Sequence, residues 1–321
     1  MPIDNSNMLK VIEDFPQQCR TAMELPKGMA VSGKVDKIVV CGMGGSAVGG
    51  DLLKSFMHDS KIPVFVARDY KVPNFVDKNT LVFAVSYSGD TEETISAFQD
   101  ASKKKAKIVA VTSGGYLGAE ANKVIKVPSG LQPRAALGYL FFPVLGVLAN
   151  SGIVDVKSKE IEEMLGILSK TGDFKVVGER IAKKIYGKTP LIYSSTLFGP
   201  VAYRWKTQLN ENSKSPAFHH VFAELDHNEI VGYQFMKKDF IAIFIKDDKD
   251  NDRIKLRMDI TKEIISSRVE VEEIFTKGEN LLSRIFSGVY YGDFVSYYLA
   301  LLNKVDPTPV SVIENLKRKL K

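Results

Sequence analysis

Two loops in the first half of the chain carry the residue types that bind an anion. Each follows an apolar run and precedes a helical pattern; they read Gly42-Met43-Gly44-Gly45-Ser46 and Ser86-Tyr87-Ser88-Gly89-Asp90-Thr91. Glycine lets backbone N–H groups approach an anion closely, and a following helix contributes the positive end of its dipole. A third loop of similar type follows at Thr112-Ser113-Gly114-Gly115. Together, the glycines and hydroxyls of the three loops predict a phosphate site that needs no lysine or arginine.

The glycine-rich loop also fits a loose dinucleotide-binding pattern, Gly42-x-Gly44-x-x-Ala47, with Asp69 at the end of the next predicted strand. That pattern is weak by itself, and Arg68 beside Asp69 complicates recognition of a ribose. Glycines in tight turns and serines at helix starts would explain either loop alone. A phosphate monoester accounts for both loops together, so a nicotinamide-dependent enzyme is kept only as an alternative.

Strand and helix patterns alternate around these loops. Almost continuously apolar runs are typical of parallel strands covered on both faces, and their alternation with helices predicts a doubly wound α/β sheet. In such sheets ligands bind beyond the carboxyl ends of the strands, where these loops fall. The predicted strands are 37–41, 62–67, 81–86, 108–112 and 124–127, and the predicted helices are 47–57 and 91–105.

The second half of the chain repeats this plan. Predicted strands at 190–195, 240–245 and 269–276 match those of the first half, and an apolar helix at 288–303 matches one at 137–150. We therefore predict an α/β protein of two doubly wound parallel-sheet, flavodoxin-like subdomains related by an internal repeat. The helix stop at Asn150-Ser151-Gly152 places the boundary between domains 1–153 and 154–321.

The composition is that of a soluble globular protein, with 45% apolar and 26% charged residues among 321. Two cysteines fit a reducing compartment, and the first residues lack the pattern of a secretory signal. We therefore expect a cytoplasmic protein. Residues 135–154 carry no charge and are long enough to span a bilayer, but Pro143 and the helix stop favour a buried core helix. No membrane partner is expected.

The net charge of +6 is compatible with nucleic acid, an anionic membrane or a small anionic substrate. The basic residues are scattered, apart from 103–105 and 317–319, which fit solvated helix faces. We therefore expect no nucleic-acid partner. The histidines and cysteines lack the spacing of metal ligands, so no metal site is expected.

Groups suited to proton transfer lie outside the loops, and the residue types alone leave their roles open. Glu211 stands between two asparagines, which suits a turn that presents a side chain, although for Glu211 taken alone a surface carboxylate near a helix end fits better. Lys304 also fits a charge at a helix C-terminus, and Arg134 fits the boundary of the uncharged helix. Three histidines are equivalent candidates on this basis: His219, His220 and His227.

The paired loops resemble the sugar isomerase (SIS) domain, and the chain is similar to the bifunctional phosphoglucose/phosphomannose isomerase family of archaea and some bacteria. The resemblance extends over nearly the whole chain in the family's order. Beyond the two loops it is carried by Leu131-Gln132-Pro133-Arg134, Asn210-Glu211-Asn212-Ser213-Lys214, Asp226-His227-Asn228-Glu229-Ile230-Val231-Gly232 and Leu302-Asn303-Lys304-Val305-Asp306-Pro307.

The resemblance implies reversible isomerisation of glucose 6-phosphate, and of mannose 6-phosphate, to fructose 6-phosphate through ring opening and an enediol(ate). It assigns Glu211 as the base that moves a proton between C1 and C2 and Arg134 as the cation that stabilises the enediolate. His227 and Lys304 would open the sugar ring. The implied phosphate ligands are Gly45, Ser46, Ser86, Ser88 and Thr91.

The resemblance further implies two SIS domains per chain, no cofactor, and a homodimer in which His227 reaches the neighbouring subunit's site. It places the enzyme in the cytoplasm, in glycolysis and gluconeogenesis. Tyr87 interrupts the serine motif and is expected to point away from the phosphate. The main alternative is a non-catalytic SIS protein that binds a phosphosugar as a regulatory signal; such a protein should lack the base and the ring-opening groups.

Overall fold

The computed structural model describes residues 3–236 and 239–320 of the chain. These residues form two compact units. The N-terminal unit comprises residues 14–165 and 280–282, and the C-terminal unit comprises the described residues of 1–13, 166–279 and 283–321. The domain limits of 1–153 and 154–321 remain a prediction.

The first half of the chain alternates strands and helices as its apolar patterns predict. Strand β3 is buried along its whole length, as a central parallel strand covered by helices on both faces should be. The elements in chain order are α1 (Met8–Glu13), α2 (Phe15–Glu24), β1 (Lys37–Cys41), α3 (Gly44–Phe56), β2 (Val64–Ala67), β3 (Thr80–Val85), α4 (Glu92–Lys103), β4 (Lys107–Thr112), α5 (Gly115–Glu120), β5 (Val124–Lys126), α6 (Leu137–Asn150) and α7 (Ser158–Leu168).

The five strands form one parallel sheet in the order β2-β1-β3-β4-β5. This is the flavodoxin-like order, in which the chain reverses direction across the sheet between β1 and β3. Cys41 pairs with Ala84, so the loops after β1 and β3 leave the same edge side by side. The predicted doubly wound sheet is confirmed.

Helix α6 is the long uncharged stretch of the sequence. Eleven of its fourteen residues are buried, on all sides of the helix, and it packs in the N-terminal unit against α2 and α3. The prediction of a buried core helix is confirmed. Within the described residues, no helix combines the length and apolar character needed to cross a membrane.

The second half forms a second parallel sheet in the order β7-β6-β8-β9, which reproduces the order of the first four strands of the other sheet. The predicted internal repeat is therefore confirmed. Its elements are α8 (Thr171–Ile185), β6 (Thr189–Ser195), α9 (Gly199–Glu211), β7 (Phe218–Phe222), α10 (Glu229–Gly232), β8 (Phe240–Lys246), α11 (Asp252–Ile265), β9 (Glu270–Phe275), α12 (Leu281–Leu302) and α13 (Ser311–Leu320).

Strand β7 is the element that the apolar pattern did not indicate. It is an edge strand whose first residues are exposed, and it contains His219 and His220. The His219 ring packs on Tyr203 at 5.2 Å between centroids, and His220 Nδ1 accepts from its neighbour's backbone N–H at 2.8 Å. An edge strand needs only one apolar face, so this segment lacks the continuous apolar run that marked the central strands.

Candidate functional site

The loop Ser86–Thr91, here the hydroxyl loop, brings three hydroxyls together at the carboxyl end of β3. Ser86 is 1% exposed, and its Oγ lies 2.8 Å from Thr91 Oγ1 and 3.5 Å from Ser88 Oγ. Thr91 is the N-cap residue of α4, and its side chain makes no capping hydrogen bond there. The first N–H groups of α4 and these hydroxyls can therefore both bind an anion.

The third loop supports the hydroxyl loop. Thr112 Oγ1 donates to Gly114 O at 2.8 Å and Ser113 Oγ donates to Tyr87 O at 2.7 Å. Gly89 has φ +81, and a Cβ on it would lie 1.8 Å from Gly114 O, so only glycine fits this crossing. The hydroxyls of Thr112 and Ser113, expected from the sequence to help line the cradle, hold its backbone instead.

The loop Gly42–Ser46, here the glycine loop, packs against the segment that carries Arg134. A Cβ on Gly45 would lie 3.0 Å from both Pro133 O and Arg134 Cα, which shows how closely the two backbones approach. Ser46 is buried at the start of α3, and Arg134 is 3% exposed on a short turn before α6. The structure therefore brings the predicted phosphate ligands and Arg134 to one edge of the first sheet.

Tyr87 connects the hydroxyl loop to the segment that leads to Arg134. Its ring is buried, and its hydroxyl donates to Pro128 O at 2.8 Å and accepts from Leu131 N–H at 3.0 Å. Burial raises the pKa of this hydroxyl, so it remains a protonated donor at neutral pH. The side chain is thus held by residues 128–131. These contacts, which the sequence did not indicate, help fix the position of the segment that leads to Arg134.

We expect Tyr87→Phe to lower the free energy of unfolding by about 0.5–1.5 kcal/mol, because the partly buried hydrogen bonds to the Pro128 carbonyl and from the Leu131 N–H are lost. It should also slow the isomerisation that the family resemblance implies, since the segment that leads to Arg134 loses this attachment. Urea unfolding and steady-state kinetics would measure both effects. Tyr70→Phe is the matched control, because Tyr70 is 44% exposed; equal behaviour of the two variants would contradict the assigned role.

The loop after β8, which corresponds in the repeat to the hydroxyl loop, carries carboxylates in place of hydroxyls. Asp247 follows β8, is 2% exposed, and accepts from Thr276 Oγ1 and Arg284 Nε, both at 2.8 Å. Burial raises the pKa of the nearby Asp250 to about 6, and the carboxylate of Asp247 acts in the same direction. Two carboxylates in this loop disfavour an anion, so the loop keeps the position of the hydroxyl loop in the repeat without its ligand chemistry.

Asp250 predicts a pH dependence of stability. Its carboxyl stays protonated up to about pH 6 in the folded chain, whereas an unfolded Asp releases its proton near pH 3.9. The folded state thus binds more protons between about pH 4 and 6, and its stability falls as the pH rises through that window. Asp250→Asn should flatten this slope in a series of thermal unfolding curves. Exposed Asp248→Asn should keep it; an unchanged slope in Asp250→Asn would contradict the prediction.

Glu211 is the last residue of α9, and a buried polar seam anchors that helix to α12. Arg204 Nη2 contacts both oxygens of Asp293 at 2.9 and 3.1 Å, and Gln208 Nε2 donates to Asp293 Oδ1 at 2.8 Å. Asn212 Nδ2 donates to Ser296 Oγ at 2.9 Å. We call these five residues the polar seam. It fixes the end of α9 from which the half-buried Glu211 projects.

Lys304 lies in the turn that ends α12. Its backbone is left-handed, with φ +57, and its N–H donates to Leu301 O at 3.0 Å while Val305 N–H donates to Ala300 O at 3.0 Å. This is a Schellman cap, in which glycine usually takes the left-handed position. The exposed side chain of Lys304 thus projects from a defined turn formed by residues 303–307.

His227 is exposed on the loop after β7, and the residues around it are anchored. Asp226 accepts from Thr261 Oγ1 at 2.9 Å and from Arg257 Nη1 at 3.0 Å. Glu229 accepts from the hydroxyl of Tyr193, on the central strand of the second sheet. Both sides of His227 are therefore fixed while its imidazole remains accessible. Glu211, Lys304 and His227 all belong to the C-terminal unit.

The two sheets and their loops define a class of protein, that of chains with two SIS domains. Residues 33–133 match the SIS domain, and residues 174–320 match the bacterial phospho-glucose isomerase C-terminal SIS domain. Glucosamine-6-phosphate deaminase from Thermotoga maritima has a similar fold, with a TM-score of 0.71 over 94% of this chain and 96% of that protein. Its sequence is 16% identical, so this likeness supports the fold alone.

Curated relatives match the chain over almost its full length. The bifunctional phosphoglucose/phosphomannose isomerase of Caldicellulosiruptor bescii is 46% identical, and the match covers 98% of each chain. The protein of the same name from Thermoplasma acidophilum is 41% identical over 96% of this chain and 97% of the relative. The chain belongs to the bifunctional phosphoglucose/phosphomannose isomerase family, as its motifs predict.

Proposed function

We propose that this chain reversibly converts glucose 6-phosphate and mannose 6-phosphate into fructose 6-phosphate. The observation that carries the proposal is its full-length similarity to relatives that bear the name of both activities. The chemistry of its loops agrees with that name, because hydroxyls and helix N-termini suit a phosphate monoester, and a carboxylate with basic partners suits proton transfer between neighbouring carbons.

The phosphate of the sugar is assigned to the edge of the first sheet. The hydroxyls of Ser46, Ser86, Ser88 and Thr91 would donate to its oxygens, together with the N–H of Gly45 and the first N–H groups of α3 and α4. The dianion would gain charge-assisted hydrogen bonds and the favourable dipole ends of two helices of thirteen and twelve residues.

Proton transfer is assigned to the remaining predicted residues. His227 and Lys304 would move protons at the ring oxygen and the anomeric hydroxyl, so that the sugar opens. Glu211 would then take the proton from C2 and return it to C1. Negative charge that develops on the enediolate would be stabilised by Arg134, whose burial strengthens its electrostatic effect.

We further propose a cytoplasmic homodimer in which His227 acts on the substrate of the neighbouring subunit. Two features of the loop support this part: the imidazole is exposed, and Asp226 and Glu229 fix the backbone on either side of it. A side chain presented outward from an anchored loop suits a contribution to another chain. In this form the enzyme would serve glycolysis and gluconeogenesis.

A measurement of turnover distinguishes this function from that of a non-catalytic phosphosugar sensor. The sensor is already disfavoured, because relatives at 40–46% identity are named as isomerases. The purified chain is incubated with fructose 6-phosphate, and both aldose 6-phosphates are followed by NMR. We expect both to accumulate toward equilibrium without an added nicotinamide cofactor. Binding of fructose 6-phosphate with no product would support the sensor and overturn the proposed function.

A further inference from the structure

The ammonium group of Lys214 lies among four backbone carbonyl oxygens from two separate turns. Two belong to the end of α9, Glu211 O at 2.8 Å and Asn212 O at 3.2 Å. The other two follow α12, Asp306 O at 2.8 Å and Pro307 O at 3.3 Å. A lysine ammonium has three donors and no acceptor, so it suits a cluster of converging carbonyls. One side chain thus joins the turn that bears Glu211 to the turn that bears Lys304, residues 303–307.

A second connection joins the same two turns, and its donor belongs to the other turn. Asn303, the residue before Lys304, donates through Nδ2 to Ser213 O and to Ser215 Oγ, both at 2.9 Å. The two turns are therefore held together by a lysine from one and an asparagine from the other. Both turns belong to the C-terminal unit.

The backbone of Lys214 has an uncommon conformation. Its φ is +55, in the left-handed region that favours glycine and is uncommon for a residue with a long side chain. Lys304 has the same conformation in the other turn, with φ +57. Strained backbone of this kind persists where the surrounding contacts determine it. At Lys304 those contacts form the cap of α12, and at Lys214 they join the two turns.

We propose that Lys214 is a positioning residue: it clamps the turn that bears Glu211 to the turn that bears Lys304 and so sets the distance between the base and a ring-opening group. The proposal rests on the functions proposed above for Glu211 and Lys304. Proton transfer requires reacting groups within a narrow range of distance, and a shift of about 1 Å can lower the rate about 10²-fold. Asn303 supports the same clamp from the other turn.

The test replaces Lys214 with Met, which keeps the length of the stem and removes the ammonium. We expect kcat for fructose 6-phosphate to fall about 10–100-fold, with KM changed less than about threefold, because Lys214 acts on the placement of Glu211 and Lys304. Lys183→Met is the control: that lysine lies on α8, is 63% exposed, and pairs with Glu179. A Lys214→Met variant with the kcat of this control would overturn the clamp.

A double-mutant cycle separates positioning from a general loss of structure. If Lys214 acts through Glu211, adding Lys214→Met to Glu211→Gln should reduce kcat less than threefold further. Two losses that multiply in full would overturn the proposal. Asn303→Ala gives an independent second variant if Lys214→Met folds poorly. It should also lower kcat. A wild-type chain without turnover would instead overturn the proposed function, and the clamp with it.

Discussion

Replacing Glu211 with Gln is expected to slow the interconversion of glucose 6-phosphate and fructose 6-phosphate by about 10²–10⁴-fold, the usual contribution of general base catalysis. The amide keeps the shape of the side chain but cannot accept the proton from carbon. The polar seam that anchors α9 does not include Glu211, so the fold should survive the change. Steady-state kinetics with both aldose phosphates, beside a thermal unfolding curve, would measure the effect.

Glu263→Gln is the matched control for this variant. Glu263 is an exposed carboxylate on α11 in the same unit, so the identical chemical change there should leave kcat close to that of the wild type. The phosphate ligands are untouched in Glu211→Gln, and KM should change little. Near-normal isomerisation by Glu211→Gln would show that another group is the base.

Replacing Asp293 with Ala should lower the free energy of unfolding by about 3–5 kcal/mol, because it removes the carboxylate that pairs with the buried guanidinium of Arg204. Arg204 is 2% exposed and Asp293 is 4% exposed. Burial raises the pKa of Asp293, while the ion pair with Arg204 opposes that rise, so the carboxylate and the guanidinium depend on each other. Equilibrium unfolding in urea, monitored by the fluorescence of Trp205, would give the difference in free energy.

A triple replacement of the same cluster distinguishes loss of the ion pair from loss of packing. Arg204→Met, Gln208→Leu and Asp293→Leu together remove the ion pair and the hydrogen bonds that Arg204 and Gln208 make to Asp293, and buried ion pairs replaced as a whole often lose no stability. We expect the triple variant to recover most of the loss seen in Asp293→Ala. If the triple variant is as unstable as Asp293→Ala, the loss of stability comes from packing at this position and not from breaking the ion pair.

The sheet could be predicted from the sequence because its central strands are covered on both faces. Strand β1 has the predicted bounds, Lys37–Cys41, and the glycine and hydroxyl loops follow β1 and β3 directly. The prediction failed where that signal was absent: β7 is an edge strand with exposed first residues, and two histidines interrupt its apolar residues. Helix α12 begins at Leu281, earlier than the predicted 288, because its first turns are less uniformly apolar.

The candidate site shows the same division. Residues that offer hydroxyls, a carboxylate or a basic group could be proposed from their types and motifs. Residues that act through the backbone could not: Tyr87 and Lys214 bind carbonyl oxygens, which every residue has and which no sequence pattern distinguishes. Lys214 does stand in the Asn-Glu-Asn-Ser-Lys motif, and that position was the available signal.

Isomerisation in D2O tests proton transfer through an enediol(ate) most directly. Glucose 6-phosphate and mannose 6-phosphate are each converted by the wild-type chain, and deuterium at C1 of the fructose 6-phosphate is measured by NMR. A proton held on Glu211 can exchange with solvent before it returns to carbon, so we predict deuterium at C1 from both substrates. Fructose 6-phosphate that still holds no solvent deuterium at C1 after many reversible turnovers of both substrates would contradict the mechanism.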